Sequence, residues 1–353
     1  MSKDKITYFS FTEDLSGLLF LAASTSCAFT MDPFVPDDRV AYLPKDPVSI
    51  AEFVSRDRRH ILIVPTSTPT SAFMHDTRDG NIKEDYEVDT PISAVAVAGL
   101  HFVLKTQNAV AIFHIDNIAP PQILPSFKGN ERSLAVSKVQ NCENEPYFVV
   151  AFPGEAQGTI SIASCPTSVA KPQYDDGKGG EEPKCTITHT ISAHDGFVSL
   201  LAISEDGTLV ASVSDEGTYI RVFRVGPSEP QVIERTGVHR EFYRGYNQCT
   251  IAAMRISPSK EILAVLSTNG TCHLYGLTDN IENYWRWLSP NRVMSYCNIY
   301  CGKTDVGEIR FGPDSRTMYV ACSNGKCTKY SLEIDDSKHI VAKELLSNTI
   351  SVL

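Results

Sequence analysis

Apolar and polar positions alternate along this chain with a period of two, the mark of β-strands rather than helices. The alternation is clearest from Phe197 to Ser204, followed by a turn at Glu205-Asp206-Gly207-Thr208, a run from Leu209 to Ser214, a turn at Asp215-Glu216-Gly217 and a run from Tyr219 to Val225. The same order of runs and turns recurs from Thr250 to Leu277, with turns at Pro258-Ser259-Lys260 and Thr268-Asn269-Gly270, and again from Val306 to Leu332. Comparable sets start near Ile6, Ser49, Ile92 and Arg132, so the seven starts are spaced by 43, 43, 40, 65, 53 and 56 residues. A period of ~40 to 50 residues is that of a four-stranded propeller blade. The pattern predicts one all-β domain over 1–353, a seven-bladed β-propeller of four-stranded antiparallel blades, WD-repeat-like in architecture. One small twisted sheet cannot bury both its faces, and closing seven in a ring does so. The longest interval holds 171–184, rich in Gly, Asp, Glu and Pro, which reads as a flexible loop of blade 4.

Composition narrows the chemistry. A net charge of −10 over 353 residues argues against a nucleic-acid binder working by bulk positive field. The apolar stretch from Leu15 to Ala23 is too short for a membrane span or a signal peptide. The ten cysteines show no CxxC pair and no zinc spacing, so free thiols in a cytoplasmic chain are expected, with no metal and no cofactor. There is no GxSxG, no HExxH and no P-loop, and Gly177-Lys178-Gly179-Gly180 lacks the spacing of one, so the chain does not read as an enzyme. No Trp-Asp dipeptide occurs either, which sets the blades apart from ordinary WD repeats and weakens a histone- or ubiquitin-type adaptor reading.

Against the acidic whole, the window from Tyr219 to Arg255 carries six arginines (221, 224, 235, 240, 244 and 255) and three acids, a local charge of +3. Blades five and six also repeat one motif: Ser214, Thr218 and Arg221 follow S-x-x-G-T-x-x-R, and Ser267, Thr271 and His273 follow S-x-x-G-T-x-H. Hydroxyls with an arginine fork suit a phosphate. The same hydroxyls would equally satisfy turn backbone.

These segments resemble the PROPPINs, seven-bladed phosphoinositide-binding propellers of autophagy that include the WIPI-type proteins. The resemblance is carried by Ala193-His194, by DGTLVASVSDEGTYIRVFRVG from Asp206 to Gly226, by STNGTCHLYGL from Ser267 to Leu277 and by FGPDSRTMYVACSNGKCTKYSLEI from Phe311 to Ile334; blade one is similar more loosely. It implies two headgroup pockets on the rim of blades five and six, flanking a Phe-Arg-Arg-Gly motif whose two arginines serve one pocket each. With that motif placed at Glu234-Arg235-Thr236-Gly237, the first site would hold His194, Ser214, Thr218, Arg221 and Arg235. The second would hold Thr236, Gly237, Ser267, Thr271 and His273, impaired because Thr236 replaces its arginine unless Arg240 or Arg244 substitutes.

The resemblance also implies a membrane-dipping loop in blade six, here 278–291, with Tyr284, Trp285, Trp287 and Leu288 as inserting residues and Arg286 available for lipid phosphates; packing of these aromatics on their own blade is the alternative. His194 and His273 would tighten phosphate binding as pH falls toward ~6. The implied function is a non-enzymatic effector for phosphatidylinositol 3-phosphate and its 3,5-bisphosphate, peripheral on endosomal, vacuolar or autophagic membranes, with an autophagy lipid-transfer protein as a partner. The alternative is a propeller scaffold that has lost lipid binding and keeps only protein contacts.

Overall fold

The computed structural model describes the chain apart from 1–5, 23–25, 33, 44–46, 55–58, 117–118, 127–132, 142–144, 170–182, 227–230, 235–236, 282–283, 286–292, 295–296 and 350–353. The described strands form seven sheets in chain order, antiparallel apart from two short parallel additions, and these are the seven blades expected. Their first strands begin at Ile6, Val48, Ala94, Ala135, Val198, Ile251 and Gly307, within three residues of the starts read from periodicity. The loop expected over 171–184 lies outside the described residues up to 182. Among the described residues no helix is long and apolar enough to cross a membrane.

Seven apolar clusters hold the ring, one at each junction between neighbouring blades. The period of two explains how one strand serves two of them. In strand Leu209–Ser214, Leu209, Ala211 and Val213 pack toward blade six, whereas Val210 packs toward blade four. Both faces are covered, so the whole strand is buried. The ring closes through side chains: Ile6, Phe9, Phe11 and Phe20 of blade one pack on Tyr319, Ala321 and Cys327 of blade seven.

The turn glycine of the repeated motif is explained by this closure. Gly217 has φ +65°, and a Cβ there would stand 1.9 Å from the carbonyl oxygen of Cys249, where the chain enters blade six. Gly270, at φ +90°, meets the entry to blade seven at Gly302 in the same way, with 2.3 Å to its carbonyl carbon. Only a residue without a side chain lets these turns press on the next blade.

A second regularity places the outer rim. The connection between the third and fourth strands of blade five contains the short strand Gln231–Ile233, which pairs in parallel with Thr186–Ser192, the outer strand of blade four. The corresponding connection of blade six contains Tyr284–Trp285 and Val293–Met294, which pair with each other; Val293 then pairs in parallel with Phe242 of Arg240–Tyr243, the outer strand of blade five. Each insertion thus extends the preceding blade, and both lie where the charged window lies.

Candidate functional site at blades four to six

Strand Tyr219–Arg224 carries two arginines three positions apart, and the pleat sends them to opposite faces. Arg221 shares the side of Phe223 and Val225, toward blade four, and Arg224 borders blade six.

Arg221 is 3% exposed. Its Nε donates to Glu241 at 2.6 Å, and its Nη1 donates to the Ala193 carbonyl at 2.8 Å and to His194 Nδ1 at 2.9 Å. Because Nδ1 accepts, the neutral ring carries its proton on Nε2, which donates to Ser212 Oγ at 2.9 Å. The guanidinium therefore ties the outer strand, the blade entry and the second strand of blade five together, and Nη2 takes no part in these bonds. Expected in an open cradle, Arg221 and His194 instead meet in a buried network, because a charge shielded from water at a blade junction must be paired and saturated. Ser214 is buried beside them, and the Thr218 hydroxyl donates to Glu216 at 3.3 Å. Arg235 lies outside the described residues, as does Thr236.

On the blade-six side, Ser267 is fully buried and its hydroxyl donates to the Thr271 carbonyl at 3.2 Å, a turn bond of the kind the motif equally allows. Thr271 is half-buried and begins strand Thr271–Gly276, in which His273 alternates with Cys272 and Leu274 and so faces blade five. Gly237 is exposed on the loop after Gln231–Ile233. Burial, helped by the cation of Arg244, lowers the His273 pKa to about 4 against a hydrogen bond with Asn298 that raises it. His273 is consequently neutral at pH 6, so the expected gain of charge near that pH does not come from this residue.

Arg244 was expected only as a substitute for the missing second arginine. Its Nε donates to the Gly217 carbonyl at 2.6 Å and its Nη2 to the Asn247 carbonyl; it is 9% exposed, and among the described residues no carboxylate pairs with it. It follows directly on strand Arg240–Tyr243, in the stretch Phe242-Tyr243-Arg244-Gly245. That stretch matches Phe-Arg-Arg-Gly at three of four positions, whereas Glu234-Arg235-Thr236-Gly237 matches at two. Phe242 is the motif's anchor, 1% exposed in the junction core with blade six. Placed at 242–245, the motif would keep its second arginine as Arg244 and carry Tyr243 in place of its first. Tyr243 meets Tyr219 at a tilt and Tyr246 edge-on, with ring centroids 5.3 Å apart in each pair. Arg240, the other substitute considered, is paired with Asp279.

Of the aromatic segment, Tyr284 and Trp285 lie by backbone in the short strand that extends blade five, and Trp287 and Leu288 fall outside the described residues.

Residues 185–221 match the family described as WD domain, G-beta repeat, which covers the outer strand of blade four and the first three strands of blade five despite the missing Trp-Asp. Among curated proteins, an SVP1-like protein 2 of Pichia angusta is 28% identical over 192 residues, 54% of this chain and 46% of that protein. Autophagy-related protein 21 of Eremothecium gossypii is 38% identical over 91 residues, 26% of this chain and 22% of that protein. Autophagy-related protein 18e of Arabidopsis thaliana is 22% identical over 269 residues, 76% of this chain and 64% of that protein. The chain thus spans less than half the length of the first of these relatives. Among solved structures, Hsv2 of Kluyveromyces marxianus superposes with a TM-score of 0.70 at 16% identity, covering 98% of this chain and 99% of that one. Atg21 in a complex with the coiled coil of Atg16 gives 0.70 at 15% identity, with the same coverage. By its own motifs and by these matches, the chain is similar in sequence to the SVP1-like and autophagy-related 18 and 21 proteins, and it shares the fold of the Hsv2 and Atg21 propellers.

Proposed function

We propose that this propeller is a non-enzymatic effector that binds 3-phosphorylated phosphoinositides at the rim where blades five and six meet. The observation that carries the reading is Arg244: a nearly buried guanidinium, held by two backbone carbonyls, with no carboxylate pairing it among the described residues, beside His273. Backbone carbonyls fix the fork without cancelling its charge, which leaves an anion-seeking group already oriented. The working pocket in this reading is the blade-six one, with Arg244, Thr271 and His273. The pocket toward blade four is the weak one, because Tyr243 stands in place of its arginine and Arg221 is committed to Glu241. This inverts the assignment expected from 234–237.

One headgroup site gives marginal membrane residence, and two signals together are the usual requirement. The aromatic segment over 278–291 supplies the second, by insertion of Tyr284, Trp285, Trp287 and Leu288. The relatives named for autophagy support recruitment to autophagic or endosomal membranes, and the Atg21 complex supports a coiled-coil autophagy protein as one class of partner.

Flotation with vesicles containing phosphatidylinositol 3-phosphate tests the reading. Arg244→Gln is expected to weaken binding about ten- to a hundredfold, the worth of one charge-assisted hydrogen bond. Wild-type chain that fails to float, or an Arg244→Gln variant that floats equally well, defeats it and leaves the scaffold alternative.

A further inference from the structure

At the far end of the same blade junction, about 17 Å along strand Tyr219–Arg224 from the rim group, lies a recess of ≈ 390 Å³ that belongs to neither predicted pocket. It is lined by Thr208, Leu209, Arg224, Val225, Gly226 and His239 of blade five and by Ser259, Lys260, Leu277 and Thr278 of blade six. Three features give it a chemical character. First, Arg224 is exposed, its Nε donates to His239 Nδ1 at 3.3 Å while its Nη2 lies 3.3 Å from Nε2, and among the described residues no carboxylate pairs with it. Burial and the charges of Arg224 and Arg240 lower the His239 pKa, against Asp279, which raises it. Second, Thr278 Oγ1 is buried with no hydrogen-bond partner among the described residues, which is costly unless something enters the recess to meet it. Third, Lys260 stands at the border, 2.6 Å from Asp206 and 3.4 Å from the Thr208 hydroxyl, so it pairs the Asp206 carboxylate and reduces its repulsion of an anion.

From this geometry we infer a second anion site, for a phosphomonoester carried on a small polyol. Arg224 takes the phosphate, the hydroxyls of Thr208, Ser259 and Thr278 take ring hydroxyls, and Leu209, Val225 and Leu277 form an apolar floor. The size is that of a small-ligand pocket. The recess opens where the chain leaves blade six for the aromatic segment, since Leu277 and Thr278 directly follow strand Thr271–Gly276. A headgroup held there would reach the chain from a lipid or from solution.

The inference does not rest on the rim reading, and the test separates them. Inositol 1,3-bisphosphate is titrated calorimetrically into the full chain carrying Arg244→Gln, so that the rim's contribution is cut about ten- to a hundredfold. One equivalent is expected to bind, and adding Arg224→Gln is expected to weaken it about tenfold or more, with Thr278→Val weakening it less. Arg224 is exposed and Thr278→Val preserves shape, so these variants fold, which a thermal melt verifies. No binding to the Arg244→Gln chain, or affinity indifferent to Arg224, overturns the site. Flotation of the single Arg224→Gln variant on phosphatidylinositol 3-phosphate vesicles then identifies the source: reduced flotation assigns the recess to the lipid headgroup, and unchanged flotation with lost calorimetric binding assigns it to a soluble phosphate. Failure of the wild-type chain to float sinks the rim proposal alone.

Discussion

Arg221 and Arg224 stand three residues apart on one strand, yet the first is an internal brace and the second a surface charge that no carboxylate pairs among the described residues. Arg221 faces the blade-four junction, where the outer strand brings Glu241 and the blade entry brings Ala193 and His194 within bonding distance. Arg224 faces the blade-six junction at the strand's end, where its neighbour is a neutral imidazole. What an arginine does in a propeller is therefore decided by which junction the pleat turns it toward and by whether the next element supplies a carboxylate. Arg244 forms the intermediate case, buried like Arg221 but held by carbonyls, as a binding group requires.

The strongest way to break this comparison is Arg221→Met. It strands Glu241 and removes the donor to His194 and Ala193, and is expected to cost about 3 kcal/mol in urea unfolding. A loss under about 1 kcal/mol would mean that Arg221 is held by packing and is available to a ligand after all. Next is Gly217→Ala, expected to cost about 2 kcal/mol in the same assay, since its Cβ meets the Cys249 carbonyl at 1.9 Å in a left-handed turn. A neutral outcome would detach the repeated glycine from blade docking.

The histidine of the rim sharpens the comparison through pH. Its folded pKa, about 4, lies below its value of about 6.5 when unfolded. The unfolded chain binds the proton first, so the His273 contribution is fully present above pH ~6.5 and is lost as pH falls toward the folded value, at no more than about 1.4 kcal/mol per pH unit. His273→Gln should flatten the stability profile between those limits, and an unaltered slope would place the effect elsewhere. The smallest effect belongs to Arg224→Gln, which should shift unfolding stability by less than about 0.5 kcal/mol because its partner is a neutral, half-exposed ring. A loss comparable to that of Arg221→Met would show that the two arginines are not different in kind.

The fold was legible from sequence because a ring of blades imposes its order on the pattern itself: buried strands read as short apolar runs, turns as Gly and Asp, and the period as one blade. All seven starts follow from that. Relative register across an insertion is another matter. Between Val225 and Arg240 the chain leaves blade five to pair with blade four, and no hydrophobic period marks which later stretch resumes the blade. The motif was accordingly placed at 234–237, while Phe242-Tyr243-Arg244-Gly245, with Phe242 buried, offers a second placement in the same letters.

What the amino-acid order determined by itself is the number of blades, the turn glycines and the concentration of positive charge near blades five and six. Tertiary structure alone decided which arginines are spent and which are left, because that depends on carboxylates and carbonyls brought by strands distant in sequence, and electrostatic pairing acts through space rather than along the chain.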